Sequence, residues 1–351
     1  MYGLLFTTAC LALAAPPGGT MLATPDGTIA GVIASPDGKL VAANVRVDEK
    51  AKDGSAAGYH CLVWDAKTGE VKNRFPPVNP NEASVIAVLF SADGKRLIEH
   101  LRQVELETKV VAKFPATLPF PSGSVSGRVS QDRSRIASLT TGNDGATIRV
   151  WDVDAATMAA KERVSVKLTK GQVADSHPLY AISGDKTTLA YSYRLVETRL
   201  PGAIKVVDIE TGKERQSIPI PDVNNVDFFV MSPDGNTIYA HQQALNRSDT
   251  VLTNVWDVKT GKVKATWTVG RLGRIRITDD GRYIVAATGR KYTDVTVIDV
   301  KTGKPYALIP TPYEGIAGLD VAPDGSWVAI AGGKLNDPRQ VGVWKVADYK
   351  K

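Results

Sequence analysis

Four histidines, two cysteines and a scatter of carboxylates are the residues of this 351-residue chain with the widest chemical reach. His60, His100, His177 and His241 fall in no HxxxH or HExxH spacing, and Cys10 and Cys61 form no CxxC pair, so no metal-ligand pattern is present. Gly142-Asn143-Asp144-Gly145 and Gly332-Gly333 lie in hairpin connections with no helix behind them, unlike a phosphate-binding loop. A GxSxG nucleophile elbow is also missing. His241 directly follows an apolar strand and reads as a satisfied structural histidine, while His177 precedes Pro178 in a connection. Loop carboxylates could pair for hydrolysis only if the fold brought them within a few ångströms of one another. The sequence therefore assigns no catalytic residue, no cofactor and no metal.

The elements that would position any site are announced by an internal repeat. Ser35-Pro36-Asp37-Gly38, Ser91-Ala92-Asp93-Gly94, Ser232-Pro233-Asp234-Gly235, Thr278-Asp279-Asp280-Gly281 and Ala322-Pro323-Asp324-Gly325 are one turn written five times. Two degraded copies stand at Ser130-Gln131-Asp132-Arg133 and Ser183-Gly184-Asp185-Lys186. The shared Asp recurs at spacings of 56, 39, 53, 49, 46 and 44 residues, the length of a propeller blade with variable loops. Pro presets the second turn position, Asp favours the bend, and Gly accepts the left-handed conformation, so each copy predicts a hairpin. Short apolar runs rich in β-branched residues flank it, such as Val85-Ile86-Ala87-Val88-Leu89-Phe90 before and Tyr283-Ile284-Val285-Ala286 after. Their near-continuous apolarity predicts strands buried on both faces.

A second marker follows each hairpin. Val63-Trp64-Asp65-Ala66-Lys67-Thr68-Gly69, Val255-Trp256-Asp257-Val258-Lys259-Thr260-Gly261 and Val297-Ile298-Asp299-Val300-Lys301-Thr302-Gly303 are its clearest copies, with close variants at Trp151-Asp152 and Val207-Asp208 and the last copy at Val343-Trp344. It predicts a third strand, a tight turn and a fourth strand. The tryptophans Trp64, Trp151, Trp256 and Trp344 recur at one strand position and are read as packing between blades. Four strands per repeat and seven repeats predict an all-β fold: a seven-bladed β-propeller of four-stranded antiparallel sheets over residues 18–351. The last repeat stops after its third strand, so an N-terminal strand within residues 20–25 is expected to complete it and close the ring.

The Asp-Gly hairpins, the Trp-Asp pairs and the repeat length resemble the WD-repeat (WD40-like) propeller family, in its loose bacterial form. The Gly-His pair that opens a standard repeat of that family is absent, so its buried His-Asp network is not carried over. The resemblance implies a rigid scaffold that binds a protein or peptide, and names no partner.

Variation concentrates between second and third strands, near residues 45–58, 140–146, 193–202, 242–250, 289–294 and 332–340, which should emerge on one face. From these loops Arg46, Lys50, Tyr193, Arg194, Arg247, Arg290, Tyr292 and Arg339 are the candidate binding-face residues. The cations would form a weakly basic rim and the two tyrosines aromatic anchors. A solvated loop face is the plainer reading of the same charges. Net charge is only +6 and is spread along the chain, without the stripe of cations and aromatics that nucleic-acid binding needs.

Residues 1–15, MYGLLFTTACLALAA, resemble the end of a secretory signal peptide, with Ala12-Leu13-Ala14 as a small-x-small cleavage pattern, although no Lys or Arg precedes Lys39. A disordered tail is the alternative. No later stretch is apolar and long enough to span a bilayer as a helix. The sequence-level expectation is an exported, non-enzymatic binding or scaffold propeller, in the periplasm or secreted. A propeller-type hydrolase or lactonase acting at the central channel is the alternative, and a cytoplasmic scaffold the third possibility.

Overall fold

The repeated turn closes on itself through its side chains. In the computed structural model the Ser35 hydroxyl donates to Asp37 Oδ1 at 2.6 Å, the same oxygen accepts the Lys39 N–H, and the Leu40 N–H donates back to Ser35 Oγ at 2.9 Å. The Ser91–Asp93, Ser183–Asp185, Ser232–Asp234 and Thr278–Asp280 pairs repeat the contact at 2.5–2.6 Å. Conformational preference alone had explained the Asp and Gly of the motif; this ring of hydrogen bonds explains the hydroxyl as well. The second marker is an Asp-capped turn: Asp257 Oδ1 accepts both the N–H and the hydroxyl of Thr260, as Asp208 does from Thr211 and Asp299 from Thr302.

The structure describes residues 19–24, 27–47, 58–75, 89–99, 102–107, 111–113, 128–130, 133–142, 145–154, 160–168, 179–194, 201–220, 224–244, 251–289, 292–334 and 337–351. Their strands form four-stranded sheets, numbered here in chain order and written from the axis outwards. Sheet 1 comprises Thr28–Ala34, Leu40–Val47, Gly58–Asp65 and Val71–Arg74. Sheet 2 comprises Leu89–Phe90, Arg96–Glu99, Arg102–Glu105 and Val111–Lys113. Sheet 3 holds Arg128–Val129, Arg135–Gly142, Gly145–Val153 and Ala160–Leu168, and sheet 4 Tyr180–Ile182, Thr188–Arg194, Pro201–Asp208 and Glu214–Pro219. Sheet 5 holds Asn224–Met231, Thr237–Ala244, Val251–Asp257 and Lys262–Trp267, and sheet 6 Leu272–Ile277, Tyr283–Thr288, Asp294–Asp299 and Lys304–Pro310. Sheet 7 runs Gly315–Val321, Trp327–Lys334 and Asp337–Lys345, with Gly19–Leu22 as its outer strand. Together they make a β-propeller.

The expectation of seven like blades needs correction: among the described residues the propeller has six full blades, sheets 1 and 3–7, while the described strands of sheet 2 are only two to four residues long. In the full blades the two central strands are six to nine residues long. In sheet 2 they are four residues each, and their pairing already ends at Glu99 opposite Arg102. The turn marker counts hairpins, and a hairpin too short to form a blade carries it equally well.

Each described core is shared by two sheets. Val41, Ala43 and Val45 pack with Ala322, Ala329 and Ala331 of sheet 7, whereas Ala42, Cys61 and Val63 face Phe90 and Leu97 of sheet 2. This period-two division between two apolar faces is why the strands read as unbroken apolar runs. Trp64 and Trp344 are fully buried, and Trp151 and Trp256 nearly so, in keeping with packing between blades. At the seam Gly19, Thr20, Met21 and Leu22 pair antiparallel with Trp344, Val343, Gly342 and Val341, and the Trp64 indole donates to the Ala23 carbonyl at 2.9 Å. The chain end folds back on sheet 6, where Ala307 bridges Lys350 and the Lys351 N–H donates to Tyr306 O.

Candidate functional site

Up-down strand order places the Ser-x-Asp-Gly and Asp-x-Thr-Gly turns on one face, and the variable loops and blade links on the other. The candidate residues on the loop face have structural contacts where they are described. Tyr193 lies half-buried over Gly202, where an added Cβ would fall 2.3 Å from the ring, and packs on the core between sheets 3 and 4. Tyr292, at φ 55°, covers Gly273 in the same way. Its carbonyl accepts the Ile316 N–H of the next sheet at 3.1 Å, and the Arg271 guanidinium stands 5.5 Å from its ring centroid. Arg46 is exposed on the second strand of sheet 1. Arg339 is exposed on the third strand of sheet 7, where its carbonyl accepts the Thr24 hydroxyl. Lys50, Arg247 and Arg290 lie outside the described residues, as does the side chain of Arg194, and no cluster of these eight residues is formed among the described ones.

The described cavity opens instead on the turn face, at the mouth of the axial channel. It encloses about 200 Å³ and draws its lining from sheets 1 and 3–7, the six full blades. Ile182, Phe229, Met231, Ile275, Ile277 and Val321 make most of its wall apolar, and Arg133, Arg276, Asp279 and Asp320 supply charge.

Two of those charges replace the commonest residue of their position in the repeated turn. Arg133 stands where five of the turns have glycine, and holds φ 58°; Lys186 does the same at φ 66°. A side chain at positive φ costs roughly 1 kcal/mol, so the cation is kept against a local penalty. Asp279 stands where three of the turns have proline, the position whose Pro233 and Pro323 also line the mouth.

A polar circuit ties the blades together here. Asp320 Oδ2 accepts the Ala34 N–H at 2.8 Å, and Arg133 Nη2 donates to the Ala34 carbonyl at 3.0 Å, so one residue of sheet 1 is gripped from sheets 7 and 3. Arg276 Nε stands 3.5 Å from Asp320 Oδ1, and its Nη1 donates to the Ile275 carbonyl. Among the described residues the Asp279 carboxylate takes part in no hydrogen bond or ion pair, although its backbone N–H donates to Pro323 O. Burial pushes this carboxyl up to about 6; the charge of Arg133 opposes that rise, and those of Asp320 and Asp280 add to it. The side-chain Nε of Arg133 is buried without a partner.

His241 fills a different role. It is buried, its Nε2 accepts the Leu272 N–H at 3.1 Å, and its Nδ1 lies 3.5 Å from the Thr253 hydroxyl. Burial, and then the charge of Arg271, hold it down at about 4, so the ring is a neutral link between sheets 5 and 6. Among the described residues no group of three His, Cys, Asp or Glu side chains could hold a metal, and no helix is long and apolar enough to cross a membrane.

Sequence reasoning missed the turn-face mouth because it looked for variable loops. The signal was present as two departures from the repeat, Arg133 for Gly and Asp279 for Pro. No protein-family model matches the chain, and a search of curated proteins finds no significant match.

Proposed function

We propose that this chain is an exported binding propeller on a WD-repeat-like plan, a rigid ring that holds its partner at the turn-face mouth of the channel. The observation that carries this reading is the cavity at that mouth. Side chains from six blades converge there, and strained Arg133 and unpartnered Asp279 are kept at positions where glycine and proline would suit the turn better. Backbone strain and a charge without an ionic partner at the mouth of a cavity are features of recognition sites. The Trp-Asp pairs at Trp64-Asp65, Trp151-Asp152 and Trp256-Asp257 support the WD-like plan, and residues 1–15 support export. The protein or peptide partner expected on the loop face is the competing site for the same function.

The test is partner recovery from an envelope extract with two double variants of the full chain. Loss with Arg276→Ala/Asp279→Asn and retention with Arg46→Glu/Arg339→Glu places the contact at the channel mouth. The reverse result moves it to the loop face, and unchanged recovery with both sinks the reading. N-terminal sequencing of the mature protein tests export.

A second reading, hydrolysis at the channel, is favoured by one observation: a carboxyl held near 6 among apolar groups has the proton affinity of a general acid or base. Turnover of a lactone or glycoside panel that disappears in Asp279→Asn would establish it.

A further inference from the structure

We propose that the channel mouth takes the zwitterionic head of an apolar α-amino acid, with its ammonium at Asp279 and its carboxylate at Arg133. This rests on the binding reading above and names its ligand class. Arg133 from sheet 3 and Asp279 from sheet 6 sense each other's charge, yet among the described residues no ion pair within 4.0 Å joins them. Neither has a partner of opposite charge: among the described residues the Arg133 guanidinium donates only to the Ala34 carbonyl, and the Asp279 carboxylate takes part in no hydrogen bond or ion pair. A ligand of one charge would relieve one residue and bury the other beside a like charge. A head carrying both charges relieves both.

The neighbours fix the polarity. Arg276 is already turned to Asp320 and the Ile275 carbonyl, and Asp320 to the Ala34 N–H, so neither competes for the ligand with its full valence. They hold the first pair in a neutral frame. Apart from Ser130 and Thr278, the rest of the wall is apolar, from residues such as Ile182, Phe229, Met231, Ile275 and Ile277, and it carries no further charged side chain to meet a second charge on the ligand. The cavity of about 200 Å³ falls below the roughly 300–1,000 Å³ of pockets for drug-sized molecules. That matches a leucine-sized ligand.

Calorimetric titration of the full chain with leucine, leucinamide and N-acetyl-leucine tests the assignment, since the amide lacks the carboxylate and the acetyl compound the ammonium. Leucine is expected to bind about tenfold or more tightly than either derivative, the worth of one charged hydrogen bond. Asp279→Asn should weaken leucine by a similar factor and leave N-acetyl-leucine unchanged. Arg133→Gly, which suits the backbone at φ 58°, should weaken leucine and leave leucinamide unchanged. Circular dichroism and the urea midpoint of each variant confirm that it is folded. Equal binding of all three compounds, or wild-type leucine affinity in both variants, overturns the zwitterion. If a derivative binds as well as leucine and is lost in the variants, the zwitterion falls while the mouth remains a binding site. If folded wild-type protein binds none of the three, the ligand class is wrong, and the partner-recovery contrast then decides the wider reading alone.

Discussion

The indole Nε1 of Trp327 donates a 2.9 Å hydrogen bond to the carbonyl oxygen of Gly38, 289 residues earlier in the chain. Trp327 opens the second strand of sheet 7 and Gly38 closes the first turn of sheet 1, so this bond crosses the seam where the ring meets itself. Trp327→Phe keeps most of the buried ring and removes the donor. It should cost about 1–2 kcal/mol, as a lowered urea midpoint at unchanged slope. Trp327→Ala should cost about 3–5 kcal/mol by opening a cavity at the seam.

The outer strand Gly19–Leu22 covers the edge of Asp337–Lys345. Deletion of residues 1–22 would leave Val341 and Val343 on an unpaired edge, which is a template for pairing between chains. Light scattering after size-exclusion chromatography should show oligomers or aggregate in place of monomer at the same concentration. A monodisperse deletion variant of unchanged melting temperature would mean that the strand contributes nothing to closure.

The hydroxyl of Ser232 donates to Asp234 and accepts the Thr237 N–H at 2.9 Å, in a turn where Ser232 and Thr237 are both buried. Ser232→Ala leaves that N–H without its acceptor and should cost about 1–3 kcal/mol in chemical denaturation. Sheet 7 carries the turn without the hydroxyl. There Ala322 replaces it; Asp324 accepts the Ser326 N–H, as Asp234 accepts that of Asn236, and the Ser326 hydroxyl donates to the same oxygen.

Lys186 holds φ 66° at the glycine position of its turn. Lys186→Gly should raise stability by about 1 kcal/mol through relief of the left-handed conformation, read as an increased urea midpoint. A decrease would show that the contact of its Nζ with the Ser134 hydroxyl outweighs the backbone term.

Two buried groups give opposite pH dependences in one window. His241 is depressed from 6.5 to about 4, so between these values the unfolded chain binds the extra proton and stability is lost as pH falls. Asp279 is raised from 3.8 to about 6, so over nearly the same range the folded protein binds the extra proton and stability is lost as pH rises. Each slope reaches at most about 1.4 kcal/mol per pH unit, and the two largely cancel. Denaturation of Asp279→Asn from pH 4 to 6.5 should show stability climbing with pH, and that of His241→Gln should show it falling. Parallel profiles for the two variants would contradict both environments.

Local chemistry was legible from residues alone, because a turn or a strand depends on neighbours in the chain. The Ser-x-Asp-Gly and Asp-x-Thr-Gly turns, the strands apolar on both faces, the buried tryptophans and the strand that meets the last sheet all follow from such short-range patterns. The number of full blades did not, since a blade also requires central strands long enough to pack on both neighbours, and Arg96–Glu99 and Arg102–Glu105 stop after four residues. Nor did the candidate site. Arg133 and Asp279 are visible as departures from the repeat, but they stand far apart in sequence, and only the convergence of the inner strands on one axis brings their charges to the same cavity. Tyr193 and Tyr292 show the converse: surface anchors by sequence, each is drawn onto a glycine by packing between blades.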